Sequence, residues 1–360
     1  MTWGHDTTLY LRNQERLPHQ HQENSIITMR PNLPILLLAA WGGGAAATST
    51  SVRTVYTFPP RTFVENIAVR ANSHLLLTSM SVPSLFSLDP TTANPSASIV
   101  HTFPNCTGLS GIAELVPDVF AVVTATWDLA ATRAALGSLA VWTVDLARSP
   151  PRIALVARVP DSTILNGVAR HPMDHRVLLA ADSAAGAIWS IDTRTGASVV
   201  VVSSPLLLPT GTAAEGKHLG INGLQAAGRW VYLTNSAQGF FGRVAVGRAA
   251  GTGFGAVEVL ANATDAAADV VYDDFALDVD ATAGKGHAWI ASHPDYAVRV
   301  PIGVPGPEKV VRDAALLKNP TAAALGRGRE RERKTLYVTN GGEFTAEGEL
   351  VNGGVVAIDL

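Results

Sequence analysis

The chain has 360 residues, of which 47% are hydrophobic and only 16% charged, so it holds enough apolar material for a large core and too little charge for a disordered chain. A net charge of −3 gives no broad basic field, which argues against nucleic acid as a partner. The single cysteine, Cys106, excludes an internal disulfide framework and any multi-cysteine metal site.

Residues 1–28 read as a polar N-terminal extension, followed by an expected signal peptide over 29–50. Met29-Arg30 leads into the apolar run Leu33–Trp41 and then into the small residues Ala45-Ala46-Ala47, the order of a cleavable secretory signal. That run is too short to span a bilayer, so no stable membrane insertion is expected. The sequons at Asn105 and Asn262 fit a secretory-pathway or extracellular location.

From residue 51 to 360 one pattern recurs six times. An apolar phrase rises into a β-branched and leucine run, ends in a small or polar residue, and closes on a short aliphatic or aromatic phrase. The copies are Glu65–Pro90, Gly108–Leu146, Leu165–Thr193, Gly220–Val246, Asp273–Ile302 and Asn319–Asp359. With Asn66, Gly111, Gly167, Gly223, Phe275 and Thr321 as equivalent anchors, the steps are 45, 56, 56, 52 and 46 residues, the length of a four-stranded propeller blade. In the third copy the strands are expected at Gly167–Arg170, Val177–Asp182, Ala187–Asp192 and Ala197–Ser203. No stretch of helix length carries a sustained 3.6-residue apolar period, which disfavours a doubly wound fold. The predicted architecture is all-β, a six-bladed β-propeller. Arg53–Phe58 reads like an outer strand yet precedes the first copy, so it is expected to pair near Val355–Ile358 and close the last blade.

The phrases Glu65-Asn66-Ile67-Ala68-Val69-Arg70, Leu165-Asn166-Gly167-Val168-Ala169, Ile221-Asn222-Gly223-Leu224, Leu233-Thr234-Asn235-Ser236 and Asp273-Asp274-Phe275-Ala276-Leu277-Asp278 together resemble the fungal branch of the SMP-30/gluconolactonase-like propellers, from about Arg53 to Leu360. That superfamily includes metal-dependent lactonases, and the fungal branch includes hetero-Diels–Alderases, which join a tropolone-derived quinone methide to a sesquiterpene alkene in secondary metabolism. The lactonase resemblance implies a cation site built from Glu65, Asn166, Asn222 and Asp274, whose hard oxygens suit Ca²⁺ or Mg²⁺. Here Asn66 and Phe275 stand where those hydrolases have glycine, which speaks against water-driven hydrolysis.

Residues at the ends of the second strands form a further candidate set at the channel mouth. Trp127 and Phe275 are expected to offer stacking surface, with Asn66, Ser183 and Asn340 binding substrate and Asn235, His293 and Asp274 in catalytic roles. Three functions stay open: a cofactor-free cycloaddition enzyme acting on small hydrophobic substrates, a metal-dependent lactonase or esterase with Asp274 or Asp273 as base, and a secreted binding propeller without a reaction. Other chemistries leave little trace. There is no G-x-S-x-G elbow or H-E-x-x-H helix, and Gly251–Gly255 lacks the following helix that a phosphate loop requires. The charge run Arg327–Lys334 alternates sign and reads as a solvated loop of the last blade.

Overall fold

The computed structural model describes residues 51–360, apart from 248–252, 268 and 305–307. The expected extension and signal peptide over 1–50 lie outside the described residues, as does part of Gly251–Gly255.

Six four-stranded antiparallel sheets follow one another along the chain, as the repeats predict. Their innermost strands are Val64–Val69, Gly108–Val116, Leu165–Arg170, Ile221–Ala227, Val271–Asp280 and Pro320–Leu325. Each inner strand packs beside the inner strands of the blades before and after it, and the sixth lies beside the first, so the six line one central channel. In the third blade the remaining strands are Val177–Asp182, Ala187–Asp192 and Ser198–Ser203, within a residue or two of the sequence-based boundaries.

The leucine-rich second strands follow from the way blades stack. Successive side chains of a strand point to opposite faces, and in a propeller both faces of a blade are covered by neighbours. Leu75 and Leu77 therefore enter the apolar cluster shared with the sixth blade, while Leu76 enters the one shared with the second. Leu178 and Leu179 divide in the same way between the gaps to the second and fourth blades. Each such leucine is fully buried, worth about 1.5–3 kcal/mol in transfer free energy. Among the described residues six apolar clusters result, one for each gap between neighbouring blades.

The ring closes as the sequence implies. Val52–Thr57 is the outer strand of the sixth blade, with Val52 opposite Ile358, Arg53 opposite Ala357 and Thr54 opposite Val356, and the Phe58 N–H reaches the Gly353 carbonyl at 2.9 Å. A bulge between Thr54 and Tyr56 shifts the register midway. The charge run is more engaged than a solvated loop. Arg327 pairs with Glu114 of the second blade at 2.6 Å, and the single hydroxyl proton of Ser73 in the first blade is shared between the Arg327 carbonyl and Glu332, each 2.7 Å from its oxygen.

Candidate active site

One irregularity recurs in all six blades. Where each inner strand pairs with the second strand, the register slips: between Val64 and Ile67, Leu109 and Ile112, Leu165 and Val168, Ile221 and Leu224, Tyr272 and Phe275, and Pro320 and Ala322. Residues inside a bulge lose their ladder partners and turn out of the sheet, which frees them for other work. In the first five blades they are Glu65-Asn66, Ser110-Gly111, Asn166-Gly167, Asn222-Gly223 and Asp273-Asp274, and in the sixth Thr321 alone.

This alignment corrects the repeat anchors. Phe275 is equivalent to Ile67, Ile112, Val168 and Leu224, the first residue after the bulge, rather than to Gly111, Gly167 and Gly223. A one-residue slip reverses the face a side chain occupies. The Phe275 ring is accordingly fully buried between the fourth and fifth blades, edge-on to Phe241 at 5.2 Å, and offers no stacking surface to the channel. The slip also moves the acids by one place. Asp273 occupies the position of Glu65, Asn166 and Asn222, whereas Asp274 shares that of Asn66 and the glycines.

Those glycines let neighbouring inner strands approach closely. A Cβ on Gly111 would sit 2.3 Å from the Asn166 carbonyl oxygen, on Gly167 2.7 Å from that of Asn222, and on Gly223 2.5 Å from Asp274 Oδ1. The first and fifth blades carry a polar side chain at this level, and those two side chains bind each other. Asn66 Nδ2 donates to Asp274 Oδ2 at 2.8 Å, while Asn66 Oδ1 accepts from the Ile67 N–H and Asp274 Oδ1 from the Phe275 N–H, both at 2.8 Å.

Hydroxyl groups complete the ring by reaching sideways to the next blade. Ser110 donates to the Leu165 carbonyl at 2.7 Å, Thr234 to that of Asp273 at 2.7 Å, Ser236 to that of Tyr272 at 2.8 Å and Thr321 to that of Val64 at 2.8 Å. These bonds satisfy inner-strand carbonyls that would otherwise be buried without a donor.

Three carboxyl groups lie within electrostatic reach of one another here. Burial drives the Glu65 carboxyl well above the usual range, reinforced by the negative charges of Asp273 and Asp274. Burial also lifts Asp274 to about 7, with the Asn66 and Phe275 hydrogen bonds opposing the rise and Asp273 adding to it. Burial thus favours the protonated forms of both groups, in which a carboxylic acid can donate a hydrogen bond. His293 Nε2 lies 3.0 Å from Asp273 Oδ2, with a third of its side chain exposed.

The second-strand candidates separate into two positions. Asn235 and Asn340 lie opposite Ile221 and Pro320, ahead of the bulge, while His293 and Ser183 lie one residue further along, in the position of Ser236. Asn235 is fully buried, donates to the Leu206 carbonyl at 3.0 Å and accepts from the Gln238 N–H at 2.8 Å, so it fixes a loop and is not free for catalysis. Ser183 is likewise spent, on the Ile221 carbonyl at 2.6 Å. Asn340 donates to the Leu316 carbonyl at 2.7 Å, leaving its buried Oδ1 without a partner. Trp127 starts a short hairpin with Arg133-Ala134 and packs in an apolar cluster flanked by Phe63 and Leu219, its buried indole N–H also unpartnered. Of the catalytic candidates, then, His293 and Asp274 join the acid cluster and Asn235 does not.

The residues present suit a hard cation. Asn166 Oδ1 and Asn222 Oδ1 are buried without hydrogen-bond partners, and Glu65 and Asp273 occupy the same bulge position in their own blades. Asp274 fits less well, since both its oxygens are engaged by Asn66 and Phe275. Among the described residues no three of His, Cys, Asp and Glu converge as a metal-holding group, so the two asparagine oxygens would have to complete any ligand set.

Fold and ring together define a six-bladed propeller with an acid and amide cluster at the end of the channel where the inner strands begin. Known proteins place it further. The chain is 28% identical over 337 residues to a Sarocladium schorii protein carrying the provisional name hetero-Diels–Alderase, covering 85% of this chain and 82% of that one. It is 29% identical over 311 residues to a Phoma protein of the same provisional name, covering 80% and 86%. Among solved structures it is similar to a luciferin-regenerating enzyme (TM-score 0.61, 16% identity, 87% of this chain and 96% of that one) and to a calcium-binding regucalcin of Agrobacterium tumefaciens (TM-score 0.58, 15% identity, 86% and 93%). These structural likenesses concern the fold. No family model matches the chain. The resemblance read from the sequence is borne out by these relatives.

Proposed function

We propose that the protein is a pocket enzyme of secondary metabolism that joins a tropolone-type quinone methide to a terpene alkene by hetero-Diels–Alder cycloaddition. The observation that carries this reading is likeness to two proteins named for that reaction along at least 80% of the chain. The reaction needs no nucleophile. It needs two apolar reactants held together, worth roughly 7–11 kcal/mol in favourable intramolecular cases, and a donor to the quinone methide carbonyl. Glu65 supplies that donor in its protonated form, and the His293–Asp273 pair supplies a second polar edge. Asp274, locked to Asn66, shapes the floor beneath them.

A second reading, a metal-dependent lactonase or esterase, is favoured by the unpartnered oxygens of Asn166 and Asn222. With Glu65 and Asp273 they would hold Ca²⁺. When bound, the ion would polarise a carbonyl and lower the pKa of water.

The test is incubation of the purified protein with a quinone methide precursor and a terpene alkene in chelator. One regio- and stereoisomer is expected, formed faster than in buffer. The uncatalysed isomer ratio with wild-type protein, together with opening of a simple lactone that stops on chelation, would replace the cycloaddition by the hydrolase.

A further inference from the structure

Two motifs of the sequence stand apart from the channel, Asn105-Cys106-Thr107 and Asn262-Ala263-Thr264. They are the chain's complete N-x-Ser/Thr triplets. Asn94 and Asn319 also have a hydroxyl residue two places on, but proline stands between and rules out the acceptor.

The fold sorts the asparagines. Asn66, Asn166, Asn222, Asn235 and Asn340 are buried, and none of them begins such a triplet. Asn105 and Asn262 are exposed, and so are Thr107 and Thr264. Asn105 sits in the turn between Ala97–Thr102, the outer strand of the first blade, and the inner strand of the second, with a φ of +57°. Asparagine enters that left-handed conformation more readily than most residues. Asn262 is the last residue of Phe254–Asn262, the outer strand of the fourth blade.

Both asparagines lie where an outer strand hands the chain on to the next inner strand, so both stand at the rim of the end that carries the acid cluster. The first and fourth blades are three apart in a ring of six, which puts the two on opposite sides of the channel. Neither belongs to an apolar cluster between blades, and neither is a bulge residue. A bulky hydrated group at either place therefore meets solvent and leaves the packing of the ring intact.

We infer that Asn105 and Asn262 are N-glycosylation sites, modified as the chain enters the secretory route. The donor is a lipid-linked oligosaccharide pyrophosphate. The bond from the sugar's anomeric carbon to the phosphate oxygen breaks, a bond from that carbon to the asparagine Nδ2 forms, one Nδ2 proton is released, and the lipid pyrophosphate leaves. The inference does not rest on the cycloaddition reading.

Expression of the full chain from its own start in a fungal host, with intact mass measured before and after peptide N-glycosidase, tests it. Secreted protein is expected to lose the mass of two glycans, and deglycosylation in heavy-oxygen water should leave labelled aspartate in place of Asn105 and Asn262 and nowhere else. Asn105→Asp, a replacement that also tolerates the left-handed turn, and Asn262→Gln should each lose one glycan, with the circular-dichroism spectrum unchanged. The double variant should lose both. The Thr107 hydroxyl accepts from the Trp127 N–H at 2.7 Å, so the asparagines rather than the threonines are replaced. Should the double variant fail to leave the cell, the labelled peptides of the wild type decide. Protein found only inside the cell and without sugar, secreted protein with either asparagine unmodified, or a sugar mass that persists in the double variant would overturn the proposal.

Discussion

The two ends of the channel are built by the same six strands, separated by two residues of chain. At the bulges the blades contribute five different sets, Glu-Asn, Ser-Gly, Asn-Gly in two blades, Asp-Asp and Thr, and the result is a polar, asymmetric, tightly bonded ring. Two residues on, where the ladder is regular again, five blades contribute alanine and the result is open space. Chemistry gathers where the regular hydrogen bonding of the sheet is broken, and volume gathers where it is kept. A bulge releases backbone groups and turns side chains toward the axis, while a regular strand presents only what its pleat allows.

That contrast can be broken most severely at Gly223. A valine there would drive its Cβ to 2.8 Å from the Asp274 Cα and 2.5 Å from Oδ1, so Gly223→Val is expected to cost roughly 4–5 kcal/mol and yield little folded protein. Gln225→Ala, two residues along in the open ring, should cost less than about 1 kcal/mol in chemical denaturation. Comparable losses at the two positions would remove the distinction between a tight ring and an open one.

The next effect is on pH dependence. Asp274 keeps its proton in the folded protein up to about 7, against an ordinary 3.8, so the folded state binds more protons than the unfolded chain between those values. Stability should fall as pH climbs from about 4 to 7, and Glu65 works in the same direction. Asp274→Asn abolishes its share of that loss. Relative to wild type, the variant should gain up to about 4 kcal/mol between pH 4 and pH 8, read from paired denaturation curves. A flat difference across that range would mean the carboxyl is not desolvated.

Smaller effects probe function and stitching. If His293 and Asp273 form a polar edge of the reaction site, His293→Phe should slow cycloaddition about 10–100-fold with little change in thermal midpoint. Ser236→Ala removes the hydroxyl that serves both the Tyr272 carbonyl and Asn222, and should cost about 1–2 kcal/mol with cycloaddition slowed less than in His293→Phe.

The blades and the closing strand were legible in the sequence because both depend on patterns that survive any local detail: strand-length apolar runs, turn residues and a leftover outer strand. The acid cluster was legible in part. Glu65, Asn166 and Asn222 announce themselves by position, but Asp273 and Asp274 are adjacent acids, and only the register tells which one takes the place of Glu65. Each bulged pair is followed by an apolar residue, Ile67, Ile112, Val168, Leu224 or Phe275. Aligning on that residue places Phe275 in the core and Asp273 in the ring. The burial of Asn235 was not legible at all, since an asparagine that fixes a loop and one that faces a substrate look alike until the loop is seen. The open space of about 630 Å³ past the bulges had a signal in the alanines that follow those five apolar positions, interrupted once by Gln225, but small residues mark empty space only when the strands are known to surround it.

The pairing of Val52 with Ile358 also sets a timetable. The two partners are separated by about 300 residues, so at roughly 5–20 residues per second the first strand waits some 15–60 s for its mate to be synthesised. Through that interval the growing sheet array keeps one raw edge and the opening strand has nothing to bind. A chain stalled or cut shortly before Gly354 would carry five finished blades and an unlatched sixth, and its exposed strand edge would invite pairing with another copy. For this protein, late truncation is therefore an aggregation hazard rather than a trimming of the surface.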